Sequence, residues 1–255
     1  MIIRRLGWAG IEVESDGQRL AIDAVASFGD LERFTGPPRT PLHAPSGPLD
    51  VALVTHLHRD HADPEVLAGV PLVLRPEANA GDAVAVAATA GQEAIGGTVV
   101  APWETVGAGA FTVTAVPAVD GFGDPQVSWV VEADGRRIIH CGDTLLHGHW
   151  WRIRTDCGPF DAAFLPANGA VCQFPHLTPH SPHPAVLDPE QAATAAALLD
   201  AAVAVPIHYD AIHHPPFYAQ VDDPAGRFTA AAGARARVLA IGEELALGPE
   251  TSNYS

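Results

Sequence analysis

The sequence is short of positive charge. Lysine is absent, and the 14 basic residues, all arginine, stand against 30 aspartate and glutamate residues, for a formal charge of −16. Nucleic acids and anionic membrane surfaces are recognised mainly through basic side chains. The charge balance therefore argues against either as the main partner of this chain.

Cysteines and long apolar runs are also scarce. The three cysteines, Cys141, Cys157 and Cys172, form neither a Cys-x-x-Cys pair nor a disulfide framework, which predicts a reducing compartment. No apolar stretch reaches the length of a signal peptide or a transmembrane helix. We therefore expect a cytoplasmic protein.

The length of 255 residues allows one domain with a sizeable core. We predict a single domain over residues 1–248 and a flexible tail over residues 249–255. The Ala-rich segment 76–90 predicts a helix. The 23 prolines and 24 glycines indicate many short connections, and the segment 24–48 predicts a long irregular loop beside a pocket.

The most informative stretch follows the apolar run at residues 51–54. That run predicts a buried strand, and His56, His58, Asp60 and His61 come directly after it. Side chains two residues apart on an extended segment point the same way, so His56 and His58 can reach one point. Asp60 and His61 can face a second point nearby. Imidazoles and carboxylates are ligands for zinc, manganese or iron.

Three later apolar runs repeat this design. Residues 138–139, 162–165 and 203–207 end in the polar side chains of Asp143, Asn168 and His208 respectively. In α/β folds, sites form where strand ends meet. We therefore expect these groups to collect at one edge of a sheet.

The pattern His-x-His-x-Asp-His resembles the signature of the metallo-β-lactamase fold superfamily. The resemblance extends to Gly142-Asp143-Thr144 and to His208. It implies an α/β fold, a four-layer αββα sandwich, with Asp143 bridging two metal ions and His208 as the last ligand. The segments Leu6-Gly-Trp-Ala-Gly, Phe164-Leu-Pro-Ala-Asn-Gly and Pro206-Ile-His-Tyr resemble L-ascorbate-6-phosphate lactonase-like and N-acylphosphatidylethanolamine phospholipase D-like hydrolases.

Two positions depart from the family pattern. The family supplies a histidine between the first motif and the Gly-Asp pair, and this chain has none there; Asp120 is the best-placed substitute. The alternative is a single metal held by Asp60, His61, Asp143 and His208. Trp8 stands where this branch often has histidine. Asp23, at a strand end, either supports the metal loop, as in relatives, or is a turn residue.

The resemblance implies a metal-dependent hydrolase acting on a small-molecule ester, lactone or phosphoester. Two divalent ions, zinc first and manganese or iron as alternatives, would activate a water as hydroxide, and Asp60 would orient it and carry its proton. The scarcity of arginine favours an uncharged substrate over a charged phosphate. Asn168, His147 and Trp150 are the candidate substrate contacts, against the alternative that they are structural or surface residues.

Two other functions stay open. Iron at the same ligands would suit an oxidoreductase, and the missing histidine would also suit a non-catalytic member with an altered metal site. Substrate identity, the native metal and the oligomeric state, including a homo-oligomer, cannot be predicted from this sequence.

Overall fold

The computed structural model describes residues 1–79 and 95–248. The predicted tail at residues 249–255 and most of the predicted helix at residues 76–90 lie outside the described residues. The first four residues of that predicted helix, 76–79, are described and are not helical. Within the described part of the chain, no helix is long and apolar enough to cross a membrane.

Seven strands form the first sheet, in the order β15-β1-β2-β3-β4-β5-β6. The pairings β3–β4, β4–β5 and β5–β6 are parallel, and the others are antiparallel. The strands are β1 (Ile2–Gly7), β2 (Gly10–Ser15), β3 (Gln18–Ile22), β4 (Val51–Leu53), β5 (Leu72–Arg75), β6 (Thr98–Val99) and β15 (Glu244–Ala246).

Six strands form the second sheet, in the order β13-β11-β10-β9-β8-β7. The pairings β10–β11 and β11–β13 are parallel, and the rest are antiparallel. These strands are β7 (Thr105–Ala108), β8 (Phe111–Pro117), β9 (Val127–Ala133), β10 (Arg136–His140), β11 (Phe160–Pro166) and β13 (Ala201–Ile207). A small separate pair joins β12 (Val171–Cys172) to β14 (Tyr218–Ala219).

The two sheets pack face to face around one apolar core. Alternate residues of each strand point inward, so Ile11 and Leu20 of the first sheet share a core cluster with Trp129 and Phe164 of the second. The indole Nε1 of Trp129 also donates a hydrogen bond to the carbonyl of Val54 at 2.9 Å. This bond joins the two sheets close to the metal-binding motif.

Helices cover the outer face of the second sheet. They are α3 (Trp150–Cys157), α4 (Pro189–Leu198) and α5 (Pro224–Ala232), and their apolar sides share a second core cluster with that sheet. Asp188 caps α4, with Gln191 completing a reciprocal capping box. The short helices α1 (Glu32–Thr35) and α2 (Pro64–Leu67) belong to the loops around the first sheet. The predicted α/β sandwich of the metallo-β-lactamase type is confirmed.

One expectation about strand ends was wrong. The strand before the motif, β4, belongs to the first sheet, whereas β10, β11 and β13 belong to the second. The polar groups therefore do not collect at the edge of one sheet. They meet at one end of the sandwich, because both sheets direct the C-terminal ends of these strands to the same side.

Candidate metal centre

The seven predicted ligands come together as two clusters. The first cluster holds His56, His58 and Asp120, and the second holds Asp60, His61, Asp143 and His208. Within each cluster, one ligand atom from every residue lies within 4.8 Å of all the others. The loop after β4 contributes to both clusters, while the second sheet supplies Asp120, Asp143 and His208.

In the second cluster, carboxylate oxygens face imidazole nitrogens at short range. Asp143 Oδ2 lies 2.8 Å from His208 Nε2, and its Oδ1 lies 3.2 Å from His61 Nε2. Asp60 Oδ2 lies 3.7 Å from His61 Nε2 and 3.9 Å from His208 Nε2. Four ligand atoms thus converge on a common point.

Several of these ligand atoms make no hydrogen bond among the described residues. Nε2 of His56, His61 and His208 and Oδ1 of Asp143 are buried and make no hydrogen bond within the described chain. Orphaned buried polar atoms are costly and rare. Their convergence fits a bound metal, which would satisfy them together.

Asp23 fixes ligands of both clusters. Its Oδ2 accepts a hydrogen bond from His61 Nδ1 at 2.7 Å and another from the Thr55 hydroxyl at 2.7 Å. That hydroxyl lies 3.0 Å from His56 Nδ1 and, having given its proton to Asp23, can accept one from the ring. Both histidines are thereby left with Nε2 free for a metal. The sequence prediction that Asp23 supports the metal loop is confirmed.

A second carboxylate, Asp124, orients the third histidine. Its Oδ2 lies 2.6 Å from His58 Nε2, and a carboxylate can only accept there. His58 therefore presents Nδ1 to the first cluster. The backbone N–H of Asp124 in turn donates to Asp120 Oδ2 at 3.0 Å, and that of Phe122 does so at 2.7 Å.

The loop that carries Asp120 is tied to the loop that carries Asp143. Asp120 and Thr144 form an isolated antiparallel bridge. The N–H of Val119 donates to Thr144 Oγ1 at 3.0 Å, and the N–H of Leu145 donates to the Val119 carbonyl at 2.8 Å. Asp120 is only 6% exposed. Its position is thus set by the same backbone that sets Asp143.

Backbone strain is concentrated at this centre. Trp8, Asp23 and His208 have φ of 46°, 50° and 58°, in the left-handed region that costs most side chains free energy. Gly142 has φ 61°, and a Cβ added there would lie 2.8 Å from Cβ and Oγ1 of Thr55. Glycine therefore lets the Asp143 loop approach the motif loop closely.

The environments of the first-cluster histidines differ. Burial lowers the pKa of His56 well below its ordinary value, and the rings of His61 and His58 lower it further. Burial also opposes a charge on His58, but the hydrogen bond to Asp124 and the carboxylate of Asp120 outweigh it and raise its pKa to about 9. His56 is thus neutral with a free lone pair, whereas a metal must displace a proton from His58.

The second cluster is a buried, charge-coupled group. Burial opposes charge on His61, but Asp143, Asp60 and Asp23 outweigh it and hold the pKa of His61 well above its ordinary value. Burial likewise opposes charge on Asp143, yet His208 and His61 hold its pKa well below the ordinary value. Asp143 therefore keeps its negative charge and favours a cation beside it.

No arginine neutralises these carboxylates. Among the residues that the structure describes, Asp23, Asp60, Asp120 and Asp143 form no ion pair with an arginine. Buried carboxylates need a compensating positive charge. Divalent cations supply it, so the residues present fit the metal ions that the family resemblance implies.

None of the three predicted substrate contacts belongs to the ligand clusters. Asn168 is fully buried, with Nδ2 donating to Tyr218 Oη at 2.8 Å and Oδ1 accepting from the N–H of Ala170 at 3.1 Å. Trp150 is fully buried in the core beneath the second sheet, and His147 stacks on it with ring centroids 4.2 Å apart. Their predicted contact with substrate stays a prediction.

Sequence reasoning gave no role to several residues that border the centre. Asp124 and Thr55 orient ligands, and Phe122 contacts the His58 ring and continues into further phenylalanines from separate loops. The four-residue spacing from Asp120 to Asp124 was the available signal for one of them. Phe34 lies in the segment 24–48, which was predicted to lie beside a pocket, but its ring contacts could not be predicted because they join loops that are distant in the sequence.

Two cavities lie away from the metal centre. One, of about 430 Å³, is lined by Arg5, Thr40 and Tyr209 among others, and one of about 730 Å³ lies beside Arg137 and Asp200. Neither is lined by a predicted ligand. The second cluster is buried but not sealed, since the side chains of Asp60 and Asp143 are 9% and 11% exposed.

Comparisons of sequence agree with this geometry. A profile of the family described as Beta-lactamase superfamily domain matches residues 18–209, a span that includes every predicted metal ligand. A protein named UPF0173 metal-dependent hydrolase from Thermococcus kodakarensis is 28% identical over 270 residues, which cover 96% of this chain and 99% of that protein.

Solved structures share the fold. Igni18, a metallo hydrolase from Ignicoccus hospitalis, superposes with a TM-score of 0.64 at 22% identity, over 96% of this chain and 97% of that chain. CmlA, a diiron β-hydroxylase from Streptomyces venezuelae, superposes with a TM-score of 0.73 at 17% identity, over 96% of this chain and 54% of that chain. At these identities the likeness concerns architecture.

Proposed function

The chain belongs to the metallo-β-lactamase superfamily, and we propose that it is a metal-dependent hydrolase with two metal sites that acts on an uncharged ester or lactone. The name of the Thermococcus relative, a metal-dependent hydrolase, supports the general activity. The number of metal ions, the use of Asp120 as a ligand and the substrate class are the finer parts of the proposal.

The observation that carries the proposal is the pair of buried clusters with orphaned ligand atoms. His56 and His58, with Asp120, would hold one ion, and the second cluster would hold the other. Asp120 Oδ2 is occupied by two backbone N–H groups, which leaves Oδ1 to face the metal. A carboxylate in place of imidazole adds negative charge, which lowers the Lewis acidity of that ion and suits harder metals such as manganese.

The metals would supply a nucleophile at neutral pH, because coordination lowers the pKa of a bound water to about 7. The protein supplies position and proton transfer. Asp60 is anchored through Oδ2 by the indole of Trp8, and its Oδ1 has no hydrogen-bond partner among the described residues. That oxygen can orient a water and accept its proton. No side-chain nucleophile is needed, and burial raises the pKa of the Cys141 thiol far above its ordinary value.

The arginine of the motif supports an uncharged substrate, because its guanidinium is already bonded within the protein. Arg59, the arginine of the motif itself, donates to the carbonyl and hydroxyl of Ser27 and pairs with Asp63 at 3.1 Å. It is therefore not available as a phosphate fork. A highly charged phosphate would meet Asp60, Asp120 and Asp143 without an arginine clamp, which disfavours it.

The test is a substrate screen on zinc-loaded protein with phenyl acetate, γ-butyrolactone and a bis-aryl phosphodiester. We expect turnover of the ester or the lactone that stops on chelation, and a kcat lower by about 100-fold or more in Asp60→Asn, the range for loss of a proton acceptor. Turnover that survives chelation, or no turnover by metal-loaded protein of any substrate in the panel, would overturn the proposal. Preference for the phosphodiester would overturn its substrate class.

The iron-dependent oxidoreductase remains the alternative on the same ligands. The harder donor set created by Asp120 accommodates iron as well as manganese. Protein purified without added metal that contains iron, and that hydrolyses nothing in the screen, would favour this alternative.

A further inference from the structure

Four phenylalanines from four separate loops form a connected wall beside the first metal cluster. Phe122 lies two residues after Asp120, and Phe34 belongs to α1. Phe174 follows β12, and Phe217 precedes β14. We call this set the aromatic rim. Four loops that are distant in the sequence each contribute one aromatic ring to this wall.

The aromatic rim begins at a metal ligand and runs outward. The ring centroid of Phe122 lies 5.9 Å from that of His58 and 5.9 Å from that of Phe174. Phe34 continues the wall, at 5.9 Å from Phe174 and 6.2 Å from Phe217. These separations are those of contacting aromatic pairs.

The aromatic rim is anchored inside and open outside. Phe174 is 7% exposed and belongs to the main core, whereas Phe122 is 36% exposed. Phe34 and Phe217 are half-buried and pack against the same core. The inner rings thus fix the wall, and the outer faces remain available to a ligand.

Further apolar surface lies on the other side of Asp120. Val119 is 37% exposed and Leu146 is 44% exposed, and they sit on the two loops that are bonded to each other beside the ligand. Contiguous exposed apolar surface next to polar groups marks a binding site. Val119 and Leu146 thus add exposed apolar surface to the two loops beside Asp120.

The polar groups of the rim lie flat on its rings. His176 stacks on Phe174 at 5.8 Å with an interplanar angle of 11°, and His214 stacks on Phe217 at 6.1 Å and 15°. The guanidinium of Arg33 lies 4.7 Å above the ring of Phe34. These three side chains extend the flat surface of the wall.

We propose that the aromatic rim is the substrate-binding wall and selects esters or lactones with an aromatic or aliphatic group next to the scissile bond. This inference rests on the proposed hydrolase function. Burial of such a group against the rings removes apolar surface from water. A substrate with only a methyl group at that place would leave the rings exposed to solvent and would bind more weakly.

The experiment has a binding arm and a turnover arm. The binding probe is N-phenyl-1-naphthylamine, an uncharged fluorescent aromatic amine with no bond for the enzyme to hydrolyse. It is titrated into metal-loaded wild type, Phe122→Ser, Phe217→Ser and the control Trp151→Ser, whose indole is 59% exposed on α3. The turnover arm compares kcat/KM for methyl phenylacetate and methyl acetate.

We expect the probe Kd to rise about tenfold in both rim variants and to stay unchanged in Trp151→Ser. We also expect wild type to prefer methyl phenylacetate by about tenfold or more, as removal of an apolar contact in a pocket predicts, and the rim variants to lose most of that preference. Phe122→Leu, which keeps an apolar side chain, should recover part of both effects and exclude misfolding as the cause.

The two proposals fail in different ways. Equal hydrolysis of both esters, with probe affinity unchanged in the rim variants, would overturn the aromatic rim and leave the hydrolase standing. Rim-dependent probe binding without hydrolysis of either ester would overturn the hydrolase and support the rim as an apolar binding wall.

Discussion

The indole Nε1 of Trp8 donates a 3.1 Å hydrogen bond to Oδ2 of Asp60. The same indole packs against the ring of His208 at an interplanar angle of 41°, with centroids 3.9 Å apart, and the Trp8 carbonyl accepts a hydrogen bond from the N–H of His208 at 2.9 Å. An indole donates and cannot ligate a metal through its nitrogen. Trp8 therefore positions two members of the second cluster without joining it.

Trp8→Phe should separate this positioning role from packing, because phenylalanine keeps a ring over His208 and removes the donor. A hydrogen bond to a charged group contributes about 1.5–3 kcal/mol, so kcat should fall by about tenfold or more while KM stays within about twofold. The zinc affinity of the second site, measured by competition with a chelating dye, should fall as well. Trp151→Phe is the matched control, and an unchanged kcat and zinc affinity in Trp8→Phe would refute the role.

Asp23→Asn should weaken metal binding at both sites at once. The carboxylate bonds to His61 directly and to His56 through Thr55, and loss of such a partner typically costs about 10- to 100-fold in metal affinity. Chelator competition measures both dissociation constants. Asp161→Asn, which alters a carboxylate paired with Arg136 away from the centre, should leave them unchanged. Weaker metal binding at one site only would contradict the claim that Asp23 supports both sites.

Gly142→Ala should destabilise the fold. The left-handed backbone costs about 1–3 kcal/mol for a residue with a Cβ, and the added methyl would press on Thr55 at 2.8 Å. Urea unfolding should show this loss, together with weaker metal binding. Gly148→Ala is the control, since a Cβ there meets no atom within 4 Å. Equal stability of the two variants would contradict the close approach of the loops.

His147 should make the protein less stable in mild acid. Burial, followed by the nearby His149, lowers the pKa of His147 to about 4, whereas an unfolded histidine titrates near pH 6.5. Between these values the unfolded chain binds a proton that the folded chain does not. The contribution to stability is therefore present above about pH 6.5 and is lost as the pH falls towards 4.

Urea midpoints measured from pH 7 to pH 4 test this effect by difference. Wild type should lose more stability across the window than His147→Gln, which cannot titrate. Parallel curves for the two proteins would show that His147 titrates normally.

The clustering of the candidate ligands could be predicted, because four of them lie within residues 56–61 and the family resemblance implies Asp143 and His208. Their use as metal ligands stays a prediction. Asp120 was predicted as a ligand because the family supplies a histidine between the first motif and the Gly-Asp pair, and this chain has none there. The structure places its carboxylate with His56 and His58.

The predicted substrate contacts stay predictions. A strand-end position does not fix which face a side chain takes, and Asn168 bonds to buried partners, while Trp150, the first residue of α3, is buried in the core. The aromatic rim depends on ring contacts between loops that are distant in the sequence, such as Phe34 with Phe174 and Phe122 with Phe174. The division of the strand ends between two sheets is likewise a tertiary property.

The most direct test of the account is the metal content per chain by elemental analysis of protein purified without added metal or chelator. Wild type, Asp120→Ala and the surface control Asp156→Ala should be compared as purified and again after reconstitution with zinc or manganese. We predict two ions per chain in wild type and in the control, and about one in Asp120→Ala. Two ions retained in Asp120→Ala, or none in reconstituted wild type, would contradict the two-site centre with Asp120 in place of histidine.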